Sequence, residues 1–383
     1  MKRYLLFGLT VLAILSFCGV YTFESAAQQN VRAEINIPDI PGYVTLKCDF
    51  HMHTVFSDGF VWPSIRPKEI WREGLDAFAI TDHIEYLPHK DDVNTDMNRS
   101  YEIAARGAKE LDLILIKGGE ITRKMPPGHL NAIFLNDVNA LDEEKYEDAI
   151  VNAADQGAFI FWNHPGWKAH QPDGVARWYD DHTALYQKGL LHGIEIVNGR
   201  SYYPEAHQWC LEKNLTMIGS SDIHNPIQMD YDFSRGEHRP MTLVFAEDRT
   251  VMALEDALRE RRTAVYWEDV LIGEEQFLKA IFDAAVSLRN TELIVEGRET
   301  AYVHIENLSD LPFHLILEAV SDEIHLPEEI TLAANGTVLF SIRKKIKDLK
   351  GDRVYTLPFI VKNLWIAPDT GLPAKFSVSV RFI

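Results

Sequence analysis

Nine residues whose donor atoms are of the kind that hold divalent metals stand at the boundaries of short apolar runs in this chain. His51, His53 and Asp58 fall within KCDFHMHTVFSDG, His83 in TDH, Glu120 in GGE, His129 in GHLN, His164 in NHPG, and Asp222 with His224 in SSDIH. A lone His-x-His pair is common on surfaces and need bind nothing, so the weight lies in the recurrence. On an extended chain Asp49, His51 and His53 share one face while Cys48, Phe50 and Met52 take the other, an ionisable side opposite an apolar one. Six imidazoles and three carboxylates exceed the three or four ligands of one zinc, which predicts two to three divalent transition metals. With no thiolate in the set, the donors favour Zn, Mn or Fe. A carboxylate such as Glu120 can bridge two ions about 4 Å apart, and a hydroxide shared by such a pair is a nucleophile near neutral pH. Asp222 is the candidate catalytic residue, holding or accepting the nucleophile's proton beside its role as a ligand.

Segments so far apart must be gathered by the fold. Through residues 28–275 short apolar runs such as YVTLKCDFH, AFAITDH, LILIKGGE, AFIFWNHP and MIGSSDIH alternate with amphipathic stretches, among them Ser100–Leu111 and Pro204–Lys213. That alternation predicts an α/β domain of parallel strands, and seven or eight repeats predict a barrel. In such a barrel the C-terminal strand ends converge on one rim, where the listed polar residues would meet. Only His129 begins a run instead of ending one. Beyond residue 282 the pattern turns to helix-poor alternation, as in AYVHIEN and AKFSVSVRFI, with Asn335-Gly336 as a hairpin signal. Residues 283–383 therefore read as a small antiparallel β-sandwich, independent of the barrel and without a cluster of acids and histidines.

The ordered set DFHMHTVFSDG, TDH, GGE, GHLN, NHPG and SSDIH resembles the PHP superfamily, the polymerase and histidinol phosphatase metallohydrolases, over about residues 44–267. The resemblance implies a distorted seven-stranded (β/α)7 barrel with a trinuclear centre. It implies that His51, His53, Glu120 and Asp222 hold a first metal, Glu120, His129 and His164 a second, and Asp58, His83 and His224 a third. Some members carry histidine where this chain has Asp58. The surrounding text, GEITRKMPPGHLNAIFL and HRPMTLVFAEDRT, is most similar to exported phosphodiesterases acting on small organic phosphate diesters. Phosphomonoesterase or C–N hydrolase chemistry on the same centre is the alternative, because the fold does not fix the substrate. A third reading is a non-catalytic glycan-binding protein with a vestigial barrel, but a vestigial site loses ligands and all nine are present.

A formal net charge of −19 excludes a general affinity for nucleic acid backbones or anionic membranes. The partner expected is a small-molecule phosphate ester received by the metals themselves. His170, Arg200, Tyr202 and Arg239 follow or precede strand-like runs and are the candidate substrate contacts, although Arg239 has as good a claim to a salt bridge. Asp82 is read as the orienting partner of a ligand imidazole, and Trp162 and Trp167 as pocket walls. Lys2-Arg3, an apolar run to Val20 and small residues before Gln28 form a signal peptide cut after Ala27, which places the protein in a periplasm with no membrane contact after cleavage. Lipid attachment at Cys18 ranks below cleavage because Phe17 is bulky. Cys48 and Cys210 are too few for a disulfide framework and read as small buried side chains. Nothing in the sequence sets an oligomeric state.

Overall fold

The computed structural model describes residues 31–319 and 321–383, so the expected signal peptide and Cys18 lie outside the described residues. No helix among the described residues is long and apolar enough to cross a membrane. The chain runs β1 (Val44–Asp49), α1 (Arg66–Arg72), β2 (Ala77–Ile80), α2 (Arg99–Glu110), β3 (Ile114–Ile121), β4 (Leu130–Ile133), α3 (Tyr146–Asp155), β5 (Phe159–Trp162), α4 (Asp180–Gln187), β6 (Gly193–Asn198), β7 (Ser201–Tyr202), α5 (Pro204–Lys213), β8 (Thr216–Ser220), β9 (Met241–Ala246), α6 (Val251–Arg259), β10 (Thr263–Trp267), β11 (Val270–Gly273) and α7 (Glu275–Ala285). Strands β2, β4, β5, β8 and β9 are buried at every position, as strands covered on both faces must be.

The sheet order is β9-β1-β2-β3-β4-β5-β6, with β8 pairing on β6. Strands β1, β2 and β3 are mutually parallel, as are β5, β6 and β8, but β4 is antiparallel to both neighbours and β9 is antiparallel to β1. The all-parallel expectation is corrected at these two strands. The reversal of β4 also explains why His129 begins its run, since the start of a reversed strand lies at the rim where the others finish.

No backbone ladder joins β8 to β9. The Thr242 hydroxyl takes that place, accepting from the Gly219 N–H at 3.0 Å and donating to the Gly219 carbonyl at 2.9 Å, while Thr263 Oγ1 donates to the Met217 carbonyl at 3.0 Å. The approach is close enough that a Cβ on Gly219 would lie 2.3 Å from Val265 Cγ1, so this position needs glycine. The structure thus bears out a distorted barrel rather than a regular one.

The remaining strands are β12 (Val286–Leu288), β13 (Glu292–Val295), β14 (Thr300–Asn307), β15 (Phe313–Leu317), β16 (Ile324–His325), β17 (Glu329–Leu332), β18 (Thr337–Lys344), β19 (Gly351–Ala367) and β20 (Thr370–Phe382). One sheet is β12-β14-β18-β16, and β13, β20, β19, β15 and β17 form the other. Asn335, at φ 50°, does turn the chain, but β17 and β18 belong to opposite sheets, so Asn335-Gly336 links the layers and closes no hairpin. The sandwich is not independent either. Leu271 and Ile272 of β11 pair in parallel with Leu364 and Trp365 of β19, and residues 32–383 form one compact unit. Helix α7, whose Phe277, Leu278, Ile281, Phe282 and Ala285 face inward, joins the same apolar core as barrel residues Leu243 and Phe245 and sandwich residues Phe313 and Phe359. Those positions repeat with helical spacing, a pattern the reading of the junction passed over.

Candidate metal centre

The polar residues meet at one rim because two extensions beyond strand ends are clipped together. Past β1 and β8, Asp222 N–H donates to the His51 carbonyl at 2.9 Å and His53 N–H donates to the Ile223 carbonyl at 3.0 Å. Asp222 (φ 53°) and His164 (φ 30°) are held at positive φ, which costs a non-glycine residue on the order of 1–3 kcal/mol and persists only where the surroundings impose it. Both are candidate ligands.

Glu120, fully buried at the end of β3, is the hub. His51 Nε2, His164 Nε2 and His129 Nδ1 lie 3.6, 3.6 and 2.9 Å from its Oε1, and His53 Nε2 and His83 Nδ1 lie 3.6 and 2.6 Å from its Oε2. Asp222 Oδ1 sits 3.2 Å from His51 Nε2 and 3.0 Å from His53 Nε2. Asp58 Oδ1 is 3.1 Å from His224 Nε2 and 3.5 Å from His83 Nε2. All nine residues are brought together. Seven of them have donor atoms in three groups, each within 4.8 Å: His51, His53 and Glu120; His83, Glu120 and His129; His53, Asp58, His83 and His224; Asp222 and His164 stand just outside these groups. The first contains the implied first set without Asp222, and the third contains the implied third set together with His53. In the second, His83 stands where His164 was expected.

This donor set fits cations. Asp58 Oδ1 and Glu120 Oε2 are crowded by imidazole nitrogens 2.6 to 3.6 Å away yet make no aligned hydrogen bond, an arrangement that a shared metal ion would satisfy. His51 Nδ1 lies 2.8 Å from Glu195 Oε1 and donates there, and its Nε2 lies 3.1 Å from His53 Nε2; burial opposes charge on His51, but Asp222, Glu195 and Glu120 push it well above the usual imidazole range. The electrostatics show the same crowding. Burial, together with His224 and His83, lowers His53 to about 3. Burial opposes charge on His83 as well, yet Glu120 and Asp58 lift it to about 10. Burial would raise Glu120 and Asp222, but the surrounding imidazoles hold both well below the usual carboxylate range.

Glu195, in the middle of β6, is the supporting residue that sequence reading missed. Its Oε1 takes the His51 ring, while its Oε2 accepts from the His164 backbone N–H at 2.7 Å and from Asn198 Nδ2 at 2.9 Å; Asn198 Nδ2 also reaches Asp222 Oδ2 at 3.3 Å. One carboxylate therefore orients three candidate ligands. The only signal was a glutamate inside the otherwise apolar run GIEIV. Asn163 Nδ2 donates to Glu120 Oε1 at 2.8 Å. Asp82 supports a candidate ligand only indirectly: it accepts from Thr54 N–H, Thr54 Oγ1 and Ser57 Oγ, fixing the loop after His53, and Ser57 Oγ in turn lies 3.3 Å from His53 Nδ1. His83 Nδ1 is taken by Thr122 Oγ1 at 2.7 Å.

Of the four expected substrate contacts, only His170 is at the centre, its ring 5.1 Å from that of His129 and its Nδ1 buried without a partner. Tyr202 bonds His207 Nδ1 at 2.9 Å and packs its ring on Trp365 of the sandwich, so the junction between barrel and sandwich occupies it. Arg200 pairs with Glu237 at 2.7 Å and lies over Tyr231. Arg239 is fully buried, bidentate on Glu73 and 2.8 Å from Asp49, the salt bridge foreseen as its rival role. Asp49 in turn accepts from the backbone N–H groups of His51 and Ser221 and from Ser221 Oγ, which makes this network a foundation beneath two ligand-bearing segments. Trp162 is buried behind His182 and faces no cleft, whereas Trp167 stands at the rim against His129 and His164. Cys48 and Cys210 are buried free thiols.

A barrel with this rim, joined to an antiparallel sandwich, defines a PHP-type metallohydrolase architecture. The chain belongs to the two-domain PHP-like metal-dependent phosphoesterase family: it is 49% identical to a two-domain protein from Bacteroides vulgatus ATCC 8482 containing a predicted PHP-like metal-dependent phosphoesterase, with TM-score 0.85 over 92% of this chain and 100% of that one. Residues 286–377 match the model of an Ig-like domain family. A metal-dependent phosphoesterase-type protein from Bifidobacterium adolescentis ATCC 15703 aligns with 46% of this chain and 87% of its own, at 18% identity and TM-score 0.37, too loosely to bear on the reading. No protein of curated function matches the chain.

Proposed function

We propose that the protein hydrolyses small organic phosphate diesters with two to three divalent transition metals bound at the rim of the barrel. The observation that carries this reading is the convergence of six imidazoles on Glu120, Asp222 and Asp58, with buried carboxylate oxygens that make no aligned hydrogen bond. Bound metals would supply Lewis acidity toward phosphoryl oxygens and a hydroxide nucleophile near neutral pH. His51, His53, Glu120 and Asp222 would hold one ion, Glu120, His129 and His164 a second, and Asp58, His83 and His224 a third, with His83 close enough to Glu120 to serve the second as well. Asp222, whose carboxylate is partly open to solvent, would serve as a ligand and hold the nucleophile's proton, and the Glu195 carboxylate would keep three of the ligands in position.

The preference for diesters follows from charge. A monoester dianion gains more from extra cations than a diester does. Such cations are sparse in the motif loops, and most are engaged: Arg123 pairs with Glu85 at 2.7 Å, Arg200 with Glu237, Arg235 with Asp232, and Arg239 is buried, while Lys124 and Lys168 are exposed. The test is elemental analysis followed by matched mono- and diesters on the reconstituted protein. At least two metals per chain and a higher kcat/KM for the diester are expected. A monoester preference of tenfold, about 1.4 kcal/mol in the barrier, assigns phosphomonoesterase activity instead. Export to a periplasm, with the signal peptide removed, is part of the same proposal and is tested by the N-terminal sequence of the mature protein.

A further inference from the structure

The loops that carry the candidate ligands also carry exposed aromatic side chains. Phe60 and Trp62 follow β1, Tyr86 follows β2 and Trp167 follows β5; Tyr86 is 53% and Trp167 43% exposed. Two of these touch the centre directly. The Tyr86 ring lies edge-on 5.9 Å from His83, and Trp167 lies 5.3 Å from His164 and 5.6 Å from His129. Since the His83 and His129 rings are 5.7 Å apart, Tyr86, His83, His129 and Trp167 are successive neighbours, and the metal-binding residues lie between the two exposed rings. Large apolar surface left open beside polar donors marks a binding site more often than chance. His170 adds a polar atom there, packed 4.9 Å from Trp167 with its Nδ1 buried and unpartnered. The nearby Arg123 and Arg200 are already paired and Arg239 is buried, and Lys168 beside Trp167 is exposed, so the rim offers open aromatic surface as one means of recognition.

We infer that the organic group of the substrate is aromatic and stacks on Trp167 at the side of the rim formed by His129 and His164. This rests on the phosphoesterase reading for the reaction but not for the binding. The test compares benzyl methyl phosphate with cyclohexylmethyl methyl phosphate, whose leaving groups are both primary alkoxides, and measures binding of benzylphosphonate against methylphosphonate by calorimetry. The metal-loaded protein should prefer the benzyl compounds by about tenfold in kcat/KM and in affinity, the scale of one good aromatic contact. Trp167→Ala should erase that preference, lowering the benzyl ester about tenfold and the cyclohexylmethyl ester much less, while Trp167→Phe restores most of it. Equal handling of the two esters, or an equal loss for both in Trp167→Ala, overturns the inference. If neither ester is cleaved but benzylphosphonate still binds in a Trp167-dependent way, the aromatic site stands and the phosphoesterase reading falls.

Discussion

Arg239→Met should unfold the protein far more readily without touching any candidate ligand. The guanidinium makes three charge-assisted hydrogen bonds of 2.7 to 2.8 Å, two to Glu73 and one to Asp49, and neither it nor Asp49 is accessible to solvent. Removing it leaves two desolvated carboxylates without their cation, a change that costs about 3–5 kcal/mol. Burial already pushes the Glu73 carboxyl up even with Arg239 in place, so in the variant Glu73 would take up a proton and recover part of the loss. The loss should therefore be larger at pH 8 than at pH 5. The double variant Glu73→Gln with Arg239→Met should be less destabilised than the sum of the two single changes, by about 0.5–3 kcal/mol. Urea denaturation at both pH values measures these quantities. Because Asp49 also holds the backbones of His51 and Ser221, metal affinity should fall in parallel. A loss below about 1 kcal/mol, with the two changes additive, would refute the claim that the network is desolvated and coupled.

Glu195→Gln keeps an acceptor for His51 or for the His164 N–H but cannot serve both as a carboxylate does, and it should weaken metal binding by about 10–100-fold with the far-ultraviolet circular dichroism unchanged; competition with a chelator reads this directly. Gly219→Ala places a methyl group 2.3 Å from Val265 Cγ1 and should cost about 1–3 kcal/mol in urea unfolding, with Val265→Ala restoring part of it. Burial lowers His182 and His207 to about 4. His182 is fixed as the neutral form, its Nδ1 accepting from Tyr179 N–H and its Nε2 donating to the Pro127 carbonyl. With folded values below the unfolded value of about 6.5, their contribution is complete above that pH and is lost as pH falls toward 4. The stability of the wild type should therefore drop across this window more steeply than that of His207→Phe.

Much of the centre was legible because imidazoles and carboxylates are the common side-chain donors for divalent metals, and because barrel topology gathers strand ends. His129 looked out of place in the sequence, and the reversed direction of β4 puts it right; hydrophobic periodicity carries no sign of strand direction, so alternation alone could not reveal this. Glu195 was missed since it lies within a strand rather than at its end, where an isolated acid looks like an interruption. Arg239 and Tyr202 were read as substrate contacts from their position beside motif loops, but the side-chain direction that buries one and turns the other toward Trp365 depends on elements far away in sequence. Independence of the sandwich was inferred from a change in texture. Texture reports local structure, while the β11 to β19 ladder and the core shared through α7 are long-range pairings.

That ladder bears on how the chain is made. When β11 leaves the ribosome its outer edge has no partner, and the partner, β19, lies far downstream, beyond most of the sandwich. Until β19 forms, a barrel with its ligands in place would present an open strand edge and the apolar faces of Phe277, Ile281 and Phe282, features that promote pairing between chains. A stop after Ala285, at the end of α7, would make that state permanent. The sandwich then serves as the closing piece of the barrel's sheet, and premature termination or proteolysis between the two should yield aggregated protein in place of a smaller enzyme.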